Sequence, residues 1–370
     1  MSIFKLIIAV NFFVYLFVYG FELEFKNSNE NSNVNTNESI TIGFTGDILI
    51  HKDLYEKVIK GKKSSFLSLW SKTIPLIEKA DLTYGNLEGP VALGINDKKI
   101  DKGDIGFKYD GSIYSGTNML FNYHPQIITD LKDSGFDIVS TSNNHTLDRG
   151  SIGIDRTIDA LNERKLDFIG TRKKDSKEEF FKIVSVKNFK VAWISCTELL
   201  NEFRDKHLQT IRCYNQSDEI VKLILKIKTK NLADVIILTP HWGKEYQDKP
   251  NEDQKKYASL FAEAGADAII GSHPHVLQPV EKYVTKDQRK VFIAYSLGNF
   301  LAYQRNIERR SSAFIYLTFQ KSKDSLRFHK SVITNYSYQP TYRENKEIIP
   351  ANNLPNVVKH VEKYLGKFKD

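Results

Sequence analysis

The hydrophobic and polar positions of this chain form a repeated pattern in which a short apolar run ends in a polar turn. Each turn contains glycine, asparagine, histidine or a carboxylate. Short apolar runs bounded by such turns are typical of buried β-strands. The runs occupy residues 39–44, 82–84, 138–139, 235–238, 268–270 and 291–295.

Helical periodicity separates several of these runs. Strands that alternate with helices predict an α/β fold. Beyond about Gln304, two further strand-like runs and one helix are expected. The predicted helices cover 125–132, 151–164, 251–264 and 357–365, and the two late strands cover 313–319 and 328–336.

The polar turns carry the residues that we expect to form a functional site. In open α/β sheets, ligands bind just beyond the carboxyl ends of the strands. Because each polar turn follows a strand, the pattern predicts a single rim of chemically active side chains. Residues 91–120 lack strong periodicity, and Gly103, Gly106, Gly111 and Gly116 suggest that they form a long loop over that rim. The predicted rim residues are Asp47, Glu88, Asn144, His241, His273 and His275.

The first residues have the pattern of a targeting segment. Lys5 precedes an apolar run from Leu6 to Phe21, which predicts a signal peptide or a membrane anchor in residues 1–21. Residues 22–39 are rich in asparagine and are expected to act as a tether. We therefore expect an exported protein on the outer face of the cytoplasmic membrane, in the periplasm or at the cell surface.

Charge and cysteine content narrow the range of partners. The formal net charge is +8, but no nucleic-acid-binding signature accompanies it, which argues against a nucleic-acid partner. A lysine-rich solvated surface, an anionic polymer and an anionic lipid surface all remain open as explanations. Cys196 and Cys213 show no metal-type spacing, and whether they form a disulfide is left open.

The rim residues form a plausible set of metal ligands by their chemistry. Three histidines, two carboxylates and an amide oxygen suit Mn, Fe or Zn better than Mg or Ca. The strongest local signal is the turn Gly271-Ser272-His273-Pro274-His275, which places two imidazoles on one turn after a strand.

Longer motifs resemble a known family. Asn143-Asn144-His145-Thr146-Leu147-Asp148-Arg149-Gly150 is similar to the NNH-x-x-D-x-G motif of the CapA-type poly-γ-glutamate capsule family, on a calcineurin-like metallophosphoesterase scaffold. The stretches from His241 to Gln278 and from Tyr295 to Phe300 resemble further blocks of that family. The resemblance covers roughly residues 40–304.

The resemblance implies a four-layer α/β/β/α sandwich in residues 40–304, followed by a C-terminal extension in 305–370. It also implies two divalent metal ions, with Asp47 bridging them and the other rim residues completing the sites. His145 would donate a proton to a leaving group, and Arg149 would hold an anionic group. Implied partners are poly-γ-glutamate or another anionic polymer, the membrane through the N-terminus, and capsule synthetase subunits.

Several positions leave alternatives open. Many phosphoesterases have histidine where this chain has Leu49, and His51 is either a ligand or a loop residue. Trp242 either stacks on substrate or packs its loop. Glu245 contacts substrate or pairs with a lysine, and Asn299 binds ligand or serves a turn.

Two functions follow as hypotheses. The first is a capsule component that helps to assemble, export or anchor poly-γ-glutamate. The second is an exported metal-dependent hydrolase, a phosphoesterase or an amidase, that is not tied to a capsule. The sequence leaves open whether the protein is catalytic.

Overall fold

The computed structural model describes residues 39–61, 64–117, 120–321 and 331–367. The helices in these residues are α1 Lys52–Lys60, α2 Ile74–Ile77, α3 Gln126–Asp133, α4 Gly150–Arg164, α5 Ser217–Thr229, α6 Glu252–Ala264, α7 Ile307–Arg310 and α8 Pro355–Leu365. The strands are β1 Ser39–Ile48, β2 Leu82–Leu87, β3 Ile138–Ser140, β4 Asp167–Ile169, β5 Phe181–Val186, β6 Phe189–Thr197, β7 Val235–His241, β8 Ala268–Ile270, β9 Val280–Val284, β10 Lys290–Ala294, β11 Asn299–Leu301, β12 Ser311–Lys321, β13 Ser331–Glu344 and β14 Glu347–Pro350.

The elements predicted from periodicity are present within the described residues. All six apolar runs are strands, and the helices predicted at 125–132, 151–164 and 251–264 correspond to α3, α4 and α6. The pattern did not predict six strands and four helices, which are β4, β5, β6, β9, β11, β14, α1, α2, α5 and α7. The predicted signal or anchor and most of the tether lie outside the described residues. Among the residues that the structure describes, no helix is long and apolar enough to cross a membrane.

The strands form two sheets. The first has the order β14-β13-β12-β1-β2-β3-β4, with β11 paired to β1. The second has the order β5-β6-β7-β8-β10-β9. The central neighbours β1, β2, β3 and β4 run parallel, as do β6, β7, β8 and β10, so their carboxyl ends meet at one edge of each sheet.

The two sheets pack face to face and carry helices on their outer faces. One core contains inward side chains of both sheets, and the ring of Tyr84 from β2 stacks on Trp193 from β6 at 5.4 Å. A second core lies between the first sheet and helices α1, α3 and α4. A third lies between the second sheet and helices α5 and α6. This is a four-layer α/β/β/α arrangement, as the resemblance implied.

The expected boundary at residue 304 does not separate the later strands from the sandwich. β12 pairs with β1 in antiparallel register from Ser39↔Gln320 to Phe44↔Ile315. β13 and β14 then extend the same sheet, and α8 packs its apolar face into the core between the sheets. The stretch after residue 304 is therefore part of the fold, because its main chain completes the hydrogen bonding of β1.

The long loop predicted in residues 91–120 is present between β2 and α3, where the described residues contain no helix or strand. Side chains hold it in place. Asn122 donates to the carbonyl oxygens of Ala92, Ile95 and Ile113 at 2.8, 3.1 and 2.8 Å. These hydrogen bonds fix the loop to the segment around Asn122, which leads into α3.

Candidate metal centre

The predicted rim residues converge at the carboxyl ends of strands from both sheets. Asp47 lies near the end of β1, and Glu88 directly follows β2. Asn144 lies on the turn after β3, His241 ends β7, and the turn after β8 carries His273 and His275. All six side chains are buried.

Two glycines allow these strand ends to come close together. A Cβ on Gly46 would lie 1.9 Å from the carbonyl oxygen of Gly298, and a Cβ on Gly271 would lie 2.1 Å from that of Tyr295. Real side-chain atoms cannot approach a carbonyl oxygen so closely, so a larger residue would push the ligand turns apart.

The turn after β8 is held in a strained backbone conformation. His273 and His275 have φ values of 98° and 58°, in the left-handed region that non-glycine residues rarely adopt. Such strain costs about 1–3 kcal/mol per residue and is concentrated at functional sites. Here it turns both imidazoles toward the same centre.

The potential ligand atoms fall into two groups that share one carboxylate. The first ligand group is Asp47, Glu88 and His275, and the second ligand group is Glu88, His241 and His273. Within each group the ligand atoms lie within 4.8 Å of one another.

Distances in the second group are close to those around a single ion. His241 Nε2 lies 3.1 Å from His273 Nδ1, 3.7 Å from a Glu88 oxygen and 2.9 Å from the amide oxygen of Asn144. Ligand atoms bound to one transition-metal ion at about 2.0–2.2 Å stand about 3.0–3.6 Å apart. In the first group, His275 Nδ1 lies 3.2 Å from Asp47 and its Nε2 lies 3.7 Å from Glu88.

Glu88 shows most directly that cations fit here. Both of its carboxylate oxygens are buried, and neither has a hydrogen-bond partner among the described residues. A buried ionised carboxylate without hydrogen-bond partners is strongly disfavoured unless a cation or a proton neutralises it. Glu88 belongs to both groups, whereas Asp47 belongs only to the first, which favours Glu88 over Asp47 as the shared ligand.

Burial and neighbouring charges shift the pKa values of these ligands in different directions. Burial and the neighbouring His273 hold the pKa of His241 well below its usual range. Burial and the neighbouring His275 lower the pKa of His273 to about 3. Burial opposes the proton on His275, but Glu88 and Asp47 outweigh it and raise the pKa of His275 to about 9. Burial, followed by repulsion from Asp47, raises the pKa of Glu88 well above its usual range.

Three polar residues that the sequence analysis did not single out orient the ligands. Asn86 donates to Asp47 at 2.8 Å, and the hydroxyl of Ser272 lies 2.9 Å from His241 Nδ1. Asn143 donates to the carbonyl of Leu87 at 2.9 Å, which ties the turn after β3 to the end of β2. The sequence feature that could have identified them is their position next to candidate ligands at the ends of apolar strands. Partners of this kind set the orientation of a metal ligand.

His145 lies next to Asn144 and is paired with a carboxylate. Its Nδ1 is 2.8 Å from Asp148, whose second contact is the backbone N–H of Phe121 at 2.7 Å. The Phe121 ring packs edge-on against the imidazole at 4.7 Å. Asp148 thus fixes the imidazole orientation and leaves Nε2 for proton transfer.

Arg149 and Trp242 do not occupy the positions expected of ligand-binding side chains. Both are completely buried. Three N–H groups of the buried Arg149 guanidinium donate to the carbonyl oxygens of Ile95, Asp148 and Ser112, and two of these carbonyls belong to the long loop. Trp242 packs in the outer core of the second sheet and donates to the carbonyl of Tyr295 at 3.0 Å, which is the packing alternative.

The remaining candidates lie around the first ligand group. The amide oxygen of Asn299 lies 2.9 Å from Nδ1 of His275. Asn299 therefore contacts a candidate ligand in addition to its place in a turn. Glu245 is half-buried, and its charge contributes to the raised pKa of His275. In the described part of the chain it has no lysine partner. His51 belongs to neither group: its Nδ1 accepts the backbone N–H of Tyr303 at 3.1 Å.

Comparison with known proteins identifies the family. The model of the bacterial capsule synthesis protein PGA_cap matches residues 41–304. The chain belongs to this capsule synthesis family. The match includes all six ligand positions and both His145 and Asp148.

Two bacterial relatives support this placement in the capsule family. The chain is 29% identical over 287 residues to the PGA biosynthesis protein CapA of Bacillus subtilis, covering 77% of this chain and 69% of the relative. It is 30% identical over 285 residues to the capsule biosynthesis protein CapA of Bacillus anthracis, covering 75% and 63%. Among solved structures, the NAD nucleotidase of Haemophilus influenzae aligns with a TM-score of 0.45 at 13% identity, over 90% of this chain and 57% of that one.

Proposed function

We propose that this protein acts in the assembly or export of poly-γ-glutamate, which it contacts at a centre of two divalent metal ions. One observation carries the proposal: a chain of the capsule synthesis family brings two ligand groups together around the shared carboxylate of Glu88. The mixture of imidazole, carboxylate and amide ligands favours Mn, Fe or Zn.

The rim residues would bind the two ions in different combinations. Glu88 would be shared by both ions, Asp47 and His275 would complete the first ligand group, and His241 and His273 the second. The amide oxygen of Asn144 is placed to join the second group. Bound divalent ions would polarise an oxygen of the polymer and make water a stronger nucleophile.

We further propose that the folded domain lies outside the cytoplasm. Residues 1–21 would act either as an anchor that attaches it to the membrane or as a signal peptide whose removal releases it. The sulfur atoms of Cys196 and Cys213 are joined in a disulfide, which persists in oxidising compartments. Capsule synthetase subunits are the proposed protein partners. Protease treatment of intact cells or spheroplasts checks the location: the domain should be digested, and full protection would contradict export.

Binding of the polymer tests the main proposal. Full-length protein loaded with Mn is titrated with poly-γ-glutamate, with poly-α-glutamate of equal length as the charge-matched control. We expect binding of the γ-linked polymer that weakens when metal is removed by a chelator. Equal binding of both polymers, unaffected by the chelator, would point to nonspecific attraction to a basic surface.

A second candidate, an exported metal-dependent hydrolase, is favoured by the His145–Asp148 pair beside Asn144. A correctly placed general acid contributes about 10²- to 10⁴-fold in rate. His145→Ala should keep its metal and lose turnover of a generic phosphodiester or of poly-γ-glutamate by that factor. If the fully metallated wild type turns over neither substrate, the hydrolase candidate loses its support. The proposed role in assembly or export would be unaffected by that result.

A further inference from the structure

An arginine outside the matched family region stands beside the first ligand group. Arg309, on the short helix α7, places its guanidinium carbon 3.5 Å from the ring centroid of Tyr246. That ring in turn lies 6.1 Å from the imidazole of His275, centroid to centroid. The ring of Tyr246 is therefore near both the guanidinium and a candidate metal ligand.

Both members of this pair are fixed to the ligand turn. The backbone N–H of Tyr246 donates to the carbonyl of Pro274 at 2.8 Å, between the two ligand histidines. The amide nitrogen of Asn299 donates to the carbonyl of Arg309 at 3.0 Å and to that of His275 at 3.1 Å. Because Asn299 joins both segments, α7 cannot move independently of the metal ligands.

The guanidinium has no ionic partner of its own. Among the described residues no carboxylate lies within ion-pair distance of Arg309, which is half-buried, and Tyr246 is 40% exposed. A guanidinium stacked on a ring keeps its edge donors free for two parallel hydrogen bonds to a carboxylate or phosphate. The stacking also removes part of the side-chain entropy that binding would otherwise cost.

We propose that Arg309, stacked on Tyr246, binds an anionic oxygen group of the molecule held at the first ligand group. This inference rests on the proposed function, in which the group is a side-chain carboxylate of poly-γ-glutamate. It assigns to Arg309 the anion-binding role expected of Arg149, which is fully buried and donates three hydrogen bonds to backbone carbonyls. Binding at Arg309 would position the polymer relative to the metal centre.

Calorimetric titration of full-length, Mn-loaded protein tests this assignment with two probes, poly-γ-glutamate and inorganic phosphate. A hydrogen-bonded charge of this kind is worth about 10- to 100-fold in affinity. Arg309→Ala should weaken binding of at least one probe by that factor, with unchanged metal content and thermal midpoint. Loss for the polymer alone identifies a carboxylate ligand, and loss for phosphate alone identifies a phosphate ligand.

Matched variants separate a specific contact from general charge. Arg305→Ala removes an exposed arginine of the same segment and should bind both probes as the wild type does. Tyr246→Phe keeps the stacking ring and should have little effect, whereas Tyr246→Ala should weaken binding. Equal affinity of Arg309→Ala and wild type for both probes would overturn the inference. If the wild type binds no polymer, the proposed function fails while the phosphate titration still decides the role of Arg309.

Discussion

At the scale of single residues, Glu88 is the carboxylate common to both potential ligand groups. Within the described residues its oxygens have no hydrogen-bond partner, and Glu88 belongs to both ligand groups while Asp47 belongs to one. A buried carboxylate in such a position is costly without a cation, so it is better explained by metal binding than by stability.

Substitution of these two carboxylates should therefore have different effects on metal content. Elemental analysis should find about two equivalents in the wild type, about one in Asp47→Ala and a larger loss in Glu88→Ala, since Glu88 belongs to both ligand groups and Asp47 to one. His207→Ala, which removes an exposed histidine, serves as the control. Equal losses in both carboxylate variants would restore Asp47 as the shared ligand.

The ligand pKa values predict how metal affinity changes with pH. His241 and His273 have lowered pKa values and are already neutral near pH 7. His275, whose pKa is raised to about 9, must release its proton below that pH before it can bind an ion. For each proton released on metal binding, the metal affinity rises about tenfold per pH unit.

Competition with a chelator at pH 6, 7 and 8 measures this dependence. We expect at least a tenfold gain in Zn affinity per unit for the wild type. His275→Gln should remove one proton from the dependence and flatten it. An affinity of the wild type that is constant over this range would contradict the pairing of His275 with Glu88 and Asp47.

At the scale of elements, the disulfide joins the end of β6 to a loop segment before α5. Thr197 pairs with that segment through two backbone hydrogen bonds, from its N–H to Ile211 and from Cys213 to its carbonyl. The closed loop spans 17 residues. A loop of this length is expected to stabilise the fold by about 3 kcal/mol through restriction of the unfolded chain.

Loss of the disulfide should therefore reduce stability without changing the rim. Cys213→Ser should lower the free energy of unfolding by about 2–4 kcal/mol in denaturant titrations under oxidising conditions. Wild type treated with a reducing agent provides the matched comparison and should fall by a similar amount. Unchanged stability in both would show that the bond does not restrict the unfolded chain.

At the scale of the whole molecule, the first sheet depends on residues after 304. β1 carries Asp47, and its outer neighbour over most of its length is β12. Strands β13 and β14 cover β12 in turn, and α8 contributes apolar side chains to the core between the sheets. The position of a metal ligand thus depends on chain that follows the matched family region.

Truncation after Tyr303 should accordingly give a protein that does not fold. It would expose the edge of β1 and the apolar core that α8 covers, and both favour aggregation. Circular dichroism and gel filtration should show loss of cooperative unfolding, while truncation after Lys367 should leave both unchanged. A soluble, cooperatively folded product ending at Tyr303 would contradict the integral role of β12.

The sequence by itself determined which residues form the rim. Each ligand follows an apolar strand, and polar residues at such positions are conspicuous because a buried strand otherwise tolerates few of them. The carboxyl ends of parallel strands lie at one edge of a sheet, so the local sequence pattern was enough to predict that His241 and His273 lie close together. The same logic predicted the α/β fold and the long loop.

Only the tertiary structure decided how the rim residues divide into two potential ligand groups and which arginine stacks beside them. These outcomes depend on distances between positions far apart in the chain, such as Glu88 and His241, or Tyr246 and Arg309. Arg149 matches the anion-binding expectation by type, yet burial beside three carbonyl oxygens uses its donors. The pairing of Cys196 with Cys213 and of β12 with β1 was likewise set by packing, because nothing in the local sequence specifies a partner at long range.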